Sequence, residues 1–339
     1  MRGIPLDGLV YQPAPGFEDH LEEELNFLCN PGGAAGGNGF EKWGGPPTSL
    51  YFLKFPGPVP PVPPVFWNIN TWLNPVQIEF ESINEAAGAL REIQRNWAPV
   101  LFTQFRRGAL IASKLPPVPR KKRPFPWQLP EAPMGAWTLL DAHTMVASSD
   151  CTSPFPGGVI EFVQDRQGPP SRAYLKLWEA LVYLRKFPCP GERCLDAGAS
   201  PGGWTWALAR LGAEVIAVDR APLDEQVVSM PGVRYLKHDA FTLAPADIGQ
   251  LDWLFCDAAC YPARLYEWIE KWLASGLCKN FVCTIKMQGS VKSTEGRDGS
   301  GGVVDFETPR RFATIPGTQV LHLYHNKHEL AWLKLHREQ

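Results

Sequence analysis

The sequence predicts a doubly wound, mostly parallel α/β sheet in the C-terminal half, preceded by a smaller α+β unit. Three observations carry that expectation. After Gly191 the apolar runs RCLDAG, AEVIAVD, LDWLFCD and NFVCTIKM recur, separated by helical or turn stretches. Runs that are continuous rather than alternating belong to parallel strands covered by helices on both faces. Several of them end in a carboxylate or a glycine, which places those groups at the C-terminal edge of the sheet, where ligands bind. A chain of 339 residues has room for about two domains.

The elements follow in order. Residues 8 to 29 read as a strand, LVYQPA, then a helix whose Leu21, Leu25 and Leu28 lie at helical spacing behind a Pro-Gly turn. A Gly-rich stretch from Pro31 to Gly45 and a Pro-rich one from Pro56 to Pro64 flank a strand, SLYFLKF. VQIEF supplies a further strand. The helix SINEAAGALREIQRNW is opened by Ser82 with Glu85 three residues on, a capping box. The first unit is expected over residues 1–115. PPVPRKKRPFPWQLP, too rich in proline for helix or sheet interior, opens a basic linker over 116–169, and the second unit covers 170–339.

Composition narrows the class. The chain is 45% hydrophobic and 20% charged, a globular balance, and no run of eighteen or more uncharged apolar residues is present to span a bilayer. The opening MRGIPLDGLV lacks the basic flank and apolar stretch of a secretory signal, so a cytosolic chain is expected. Eight scattered cysteines show no zinc spacing, which predicts reduced thiols and no metal. A net charge of -2 decides nothing about polyanionic partners, so local charge must.

The strongest local signal is Asp196-Ala197-Gly198-Ala199-Ser200-Pro201-Gly202-Gly203-Trp204-Thr205, between apolar RCL and helical WALARLG. Glycines permit a tight strand-to-helix turn and let a ligand touch backbone, while the helix start offers unpaired N–H donors to a carboxylate-bearing ligand. Asp219 ends the next strand, where an acid accepts hydrogen bonds from ribose hydroxyls, and Asp239 in KHDAF is placed to reach an adenine amino group. A dinucleotide fingerprint would need G-x-G-x-x-G, and this turn reads G-A-S-P-G-G instead. A plain Gly-Pro turn with solvated acids is the bland alternative.

DAGASPGGWTWALA, the strand-end Asp257 of DWLFCDAA, FVCTIKM and LYHNKHELAWLKL together resemble the FtsJ-like RNA ribose 2'-O-methyltransferases, over roughly residues 170 to 337. The likeness is greatest to the type that methylates a cytidine ribose of bacterial 23S ribosomal RNA and carries a THUMP-like N-terminal domain. There too an opening strand runs into PGFE and a helix, as in LVYQPAPGFEDHLEEEL. The resemblance implies a Rossmann-like domain using S-adenosylmethionine, with Asp196, Gly198, Ser200, Pro201, Gly202, Gly203, Trp204, Asp219, Asp239 and Asp257 at the cofactor. It implies RNA as partner, 23S rRNA or a pre-ribosomal particle, and leaves the oligomeric state open. The family's catalytic Lys, Asp, Lys and Glu correspond to Lys176, Asp257, Lys286 and Glu329.

The chemistry explains these residue types. A ribose hydroxyl is a poor nucleophile, so the enzyme must align it with an activated methyl and remove its proton. Lys286, at the end of an apolar strand and expected near Lys176, could serve as base if burial and a neighbouring cation pull its pKa down. Asp257 would orient the pair and Glu329 would fix the second lysine or the ribose. Each also has a bland reading as a solvated surface group, Lys176 above all, because LKLWEALVYLRK reads as an ordinary amphipathic helix. The Gly-rich residues 289–303 form either a substrate loop or a tolerated connection.

Arg91, Arg95, Arg106, Arg107, Lys114, Arg120, Lys121, Lys122 and Arg123 are opposed locally only by Glu92. Such an excess can contact phosphates, with Arg106, Arg107, Arg120, Lys121, Lys122 and Arg123 the candidates and Phe125 and Trp127 as stacking surfaces for unpaired bases. A solvated charged linker is the competing reading. In the functional reading, the first unit and linker position RNA over the 2'-hydroxyl site. Two rivals stand beside ribose methylation: a methyltransferase for a base or small molecule, and a catalytically silent RNA-binding module. Asp257 is followed by AACYP and not by an NPPY-type base-flipping signature, which tells against amino-group methylation.

Overall fold

The computed structural model describes residues 3–29, 39–45, 47–55, 64–119, 121–287 and 306–336. The chain divides into two compact units, Met1–Arg123 with Leu129–Glu161, and Pro124–Gln128 with Phe162–Gln339.

The first unit contains β1 (Ile4–Pro5), β2 (Gly8–Pro13), α1 (Glu18–Cys29), β3 (Phe40–Gly45), β4 (Thr48–Lys54), β5 (Asn68–Trp72), β6 (Val76–Glu79), α2 (Ile83–Ile93), β7 (Trp97–Pro99), α3 (Phe105–Ala112), β8 (Gly135–Leu139) and β9 (Thr144–Ser148). They form a four-stranded sheet, β3-β4-β2-β5, and a five-stranded one, β1-β6-β9-β8-β7. Period-two alternation explains why β8 and β9 are buried on both faces. Trp137, Leu139, Met145 and Ala147 pack with Ala86 and Leu90 of α2 and Ile111 of α3. The alternate residues Ala136 and Val146 pack with Val10, Leu50 and Trp72 of the other sheet.

Local chemistry sets the helix ends. Leu21 and Leu25 of α1 are buried as their spacing requires, each such burial contributing about 1.5–3 kcal/mol. Ser82 caps α2, its Oγ accepting from Glu85 N–H at 3.2 Å, while the Glu85 carboxylate accepts from Glu81 N–H at 2.8 Å. The helix stops at Ile93, four residues before the expected Trp97, because Gln94 turns extended and Trp97 enters β7. The Trp97 indole N–H then donates to the buried carbonyl of Leu90 at 2.9 Å, which also accepts from Gln94 N–H at 3.1 Å.

The expected linker over 116–169 needs correction. It holds β8 and β9, two central strands of the five-stranded sheet, joined by a turn in which Asp141 Oδ1 accepts from His143 N–H at 2.7 Å and Thr144 N–H at 2.8 Å. The proline run before them obscured two short strands after it. Phe125, expected as a base-stacking surface, lies instead against Trp178 with ring centroids 4.4 Å apart and planes at 5°. It also meets Phe162 and Phe187 edge-on, so its face anchors the second unit's own packing.

The second unit contains α4 (Tyr174–Leu184), β10 (Arg193–Ala197), α5 (Gly203–Arg210), β11 (Glu214–Asp219), α6 (Glu225–Val228), β12 (Val233–Lys237), α7 (Pro245–Ile248), β13 (Leu251–Cys256), α8 (Pro262–Ser275), β14 (Cys278–Lys286), α9 (Glu307–Thr314), β15 (Thr318–Leu321) and β16 (Glu329–Lys334). They build a seven-stranded sheet, β12-β11-β10-β13-β14-β16-β15, parallel through its first five strands and antiparallel at β16 and β15. This is the Rossmann-like, mostly parallel arrangement that the apolar runs predict. The chain leaves β10 in one direction through β11 and β12 and returns to its other side through β13, so the order reverses between β10 and β13. Ligands bind at the strand ends beside such a reversal.

Candidate active site

The β10 to α5 turn lies at that reversal. Gly198 has φ +79°, and a Cβ there would fall 2.5 Å from the Cα of Ala258. Only glycine lets this turn close onto the chain just after β13, next to Asp257. Gly202, at φ +117°, caps α5 in a conformation other residues avoid. The turn is braced from outside: Ser200 N–H donates to Asp219 Oδ2 at 3.0 Å, Ser200 Oγ to the Pro222 carbonyl at 2.8 Å, and Asp224 N–H to the Pro201 carbonyl at 3.0 Å.

Asp196 is fully buried under the turn. Its Oδ2 accepts from Thr205 Oγ1 at 2.6 Å, and its Oδ1 has no hydrogen-bond partner among the described residues. Burial pushes its carboxyl up to about 7, against the lowering effect of the Thr205 hydroxyl. A buried acceptor left without a donor fits a site completed by a cationic group. Asp219 Oδ1 accepts from Ala221 N–H at 2.8 Å, which fixes the carboxylate at the end of β11. Asp239 accepts from Phe241 N–H at 3.0 Å and pairs with Arg264 at 3.2 Å. Trp204 offers no ring to a ligand: its indole is 3% exposed and donates to the Ala173 carbonyl at 2.9 Å.

Lys176, Asp257, Lys286 and Glu329 converge. Lys176 Nζ lies 2.8 Å from Asp257 Oδ1 and 2.7 Å from Glu329 Oε1. Lys286 Nζ lies 2.6 Å from the same Asp257 oxygen and bonds Glu329 Oε2. Each lysine thus shares both carboxylates. The order of elements explains the meeting: Asp257 follows β13, Lys286 ends β14, and Glu329 begins the antiparallel β16 directly opposite Lys286. Lys176 comes from α4 and is buried, so the solvated-helix reading of LKLWEALVYLRK fails. The Lys286 side chain is 22% exposed, against 15% for Asp257, 10% for Lys176 and 9% for Glu329, so it is the member most open to a reactant.

The electrostatics of Lys286 run opposite to the sequence expectation. Burial disfavours its ammonium, but the charges of Asp257 and Glu329 outweigh burial, and its pKa stands above the usual lysine range. The neighbouring cation does not lower it, because Lys176 arrives with the same two anions as partners. Glu329 shows the complement: burial would raise its pKa, yet Lys176 and Lys286 hold it below the usual carboxylate range.

Two further polar residues on these elements escape the sequence reading. Thr284 Oγ1 donates to Asp257 Oδ1 at 2.7 Å; it lies two residues before Lys286 on β14, on the same face of the strand. Glu179 lies three residues after Lys176 on α4, on the same face of the helix, and is buried. Both spacings are visible in the chain, and both belong to apolar stretches where a polar group needs a partner.

The basic candidates of the first unit are not gathered into a comparable cluster. Arg106, Lys121 and Lys122 are exposed. Arg107 stacks over Phe80 at 5.3 Å and donates to the Glu81 carbonyl at 3.2 Å, and Arg123 donates to the Pro119 carbonyl at 3.0 Å. Arg120 and residues 289–303 lie outside the described residues. No described helix is long and apolar enough to cross a membrane.

Part of the chain is similar to known methyltransferases. Residues 169–293 match the FtsJ-like methyltransferase family. The ribosomal RNA large subunit methyltransferase M of Xanthomonas axonopodis pv. citri (strain 306) is 32% identical over 212 residues, which are 60% of this chain and 57% of that protein. Its counterpart from Azoarcus sp. (strain BH72) is 34% identical over 156 residues, 44% of this chain and 42% of that protein. This chain therefore spans 57% of the length of the first of these relatives and less of the second.

Proposed function

We propose that the chain transfers a methyl group from S-adenosylmethionine to a ribose 2'-hydroxyl of RNA, with a cytidine of 23S ribosomal RNA as acceptor. The observation that carries this reading is the pair of buried lysines sharing Asp257 and Glu329 beside the glycine turn. The relatives' names, ribosomal RNA large subunit methyltransferase M, support the choice of RNA. In the same reading the chain works in the cytoplasm, and the first unit is a THUMP-like RNA-binding domain.

The residues present suit the cofactor. The cradle of Gly198, Ser200, Pro201, Gly202 and Gly203, the unpartnered Asp196 Oδ1, and the strand-end Asp219, Asp239 and Asp257 would hold its amino acid, ribose and adenine parts. The cofactor supplies a methyl already activated on a sulfonium. What remains for the protein is to align the hydroxyl and take its proton. Lys286, the most open of the four side chains, is the base; Lys176 and Asp257 orient it and Glu329 holds both lysines. Lys286 is an ammonium in the arrangement described, so it must shed a proton before it accepts one. The rate is therefore expected to climb with pH from 7 upward by up to about tenfold per unit. This is the sign required of a base whose pKa is raised.

The test is methyl transfer from tritiated S-adenosylmethionine to ribosomal RNA purified without the modification, followed by nuclease digestion. Label in a 2'-O-methylated nucleoside supports the reading. Label on a base, or RNA binding without transfer, would refute it.

A further inference from the structure

We propose that Glu179, together with His325, is a positioning pair that holds Glu329 against the two lysines. The inference rests on reading the four-residue cluster as the methyl-transfer site, and it adds a residue that chemistry at the cluster does not itself require.

Lys176 and Glu179 project from the same face of α4, one turn apart. Lys176 reaches Asp257 and Glu329, whereas Glu179 turns to the segment leading into β16. Its Oε1 accepts from Tyr324 N–H at 2.8 Å, and its Oε2 accepts from His325 N–H at 2.9 Å and from His325 Nδ1 at 2.7 Å. The residue is 2% exposed. A carboxylate offers about four acceptor positions, and three are taken here by two adjacent residues. Because Nδ1 carries the donated proton, the carboxylate also fixes the ring's tautomer and orientation.

The grip at residues 324 and 325 is transmitted to Glu329 because the intervening loop is bonded to itself and to β14. Asn326 N–H donates to the Leu323 carbonyl at 3.0 Å, and His322 Nε2 lies 2.9 Å from the Lys327 carbonyl. Met287 N–H donates to the His328 carbonyl at 3.0 Å, which ties the loop to the residue after Lys286. One turn of α4 thus fixes the loop at Tyr324 and His325 through Glu179 and at Glu329 through Lys176. A merely structural carboxylate would stabilise the fold without tuning the cluster; a positioning carboxylate sets where Glu329 stands.

The experiment compares Glu179→Gln and His325→Ala with wild type in single-turnover methyl transfer, cofactor and RNA binding, and amide exchange. Gln keeps the shape but places an NH2 group against backbone N–H donors. Glu179→Gln should slow transfer by about 100-fold, the scale of an ångström-sized misplacement, with both binding constants within about twofold of wild type. His325→Ala, which keeps both backbone bonds, should slow it less. The double variant with Glu329→Gln should be no slower than Glu329→Gln alone, since Glu179 acts through that residue. Losses that multiply would overturn the proposal, as would a wild-type rate in Glu179→Gln. Amide exchange should quicken at Tyr324 and His325 and also at Leu330. Exchange altered at the first two and unaltered at Leu330 would overturn it even if the wild type proves unable to methylate RNA, an outcome that would separately remove the functional reading.

Discussion

The lysines of the second unit and the basic residues of the first differ in what the fold asks of them. Lys176 and Lys286 are enclosed and each meets two carboxylates, whereas Arg106, Lys121 and Lys122 stand in solvent. Enclosure makes a charge specific, because an unpaired buried ion costs several kcal/mol and the partner must be placed to match. Exposure makes a charge interchangeable. A functional role for the first pair can therefore be proposed from geometry, and for the second group only from binding.

The sharpest way to break that contrast is at Lys286. Lys286→Met should lower methyl transfer by about 100 to 10,000-fold, the range of general-base help, and abolish the rise of rate with pH. Cofactor binding by calorimetry should remain, as Asp196, Asp219 and the glycine turn are untouched. Equal losses from Lys286→Met and from charge reversal at Lys121 would erase the distinction between the two units.

A second effect of several kcal/mol belongs to Asp196, whose carboxyl titrates near about 7 in the fold against 3.8 as the ordinary value. The unfolded chain ionises first as pH rises, so the fold carries no penalty below about pH 4 and loses stability progressively up to about pH 7. The loss is at most about 4 kcal/mol, roughly three units at about 1.4 kcal/mol each. Denaturant unfolding at pH 5 and pH 8 should show Asp196→Asn gaining on wild type at the higher pH. A constant difference at the two values would mean that the carboxyl stays ionised throughout.

His322 gives the opposite slope and a smaller one. It is almost wholly buried, and burial pushes its pKa down to about 4 from 6.5. The folded state keeps it neutral while the unfolded chain takes up a proton, so stability is complete above about pH 6.5 and lost as pH falls toward about 4. The maximum is about 3 kcal/mol. Thermal unfolding of His322→Gln between pH 7 and pH 5 should be flatter than that of wild type.

The sequence exposes most of the second unit because continuous apolar runs leave few alternatives to buried parallel strands. The four site residues could be named in order from the resemblance, but their meeting could not be derived from spacing: Lys176 finds Asp257 81 positions away and Glu329 153 positions away. The sign of the Lys286 shift was illegible for the same reason, since it depends on both anions standing nearer than the sequence indicates. β8 and β9 were hidden by the proline run before them, and their burial on both faces removes the alternation that marks a strand. Phe125 beside RKKR looked like a stacking platform because composition does not say which neighbour a ring faces.

The smallest effect tests the exposed half of the comparison. Lys121 and Lys122 are exposed and are not members of the four-residue cluster, so whatever they add to RNA binding is phosphate attraction, which salt screens. Lys121→Glu with Lys122→Glu should weaken binding to ribosomal RNA fragments and lower the slope of log affinity against log salt by roughly one for each phosphate no longer neutralised. Cofactor affinity and the transfer rate at saturating RNA should stay at wild-type values. The result that restores symmetry between the units is an unchanged salt slope, for then these lysines are a solvated surface and RNA is gripped elsewhere. A change in transfer rate at saturating RNA would break the contrast from the other side, since a solvent-exposed charge would then be setting the geometry of the reaction.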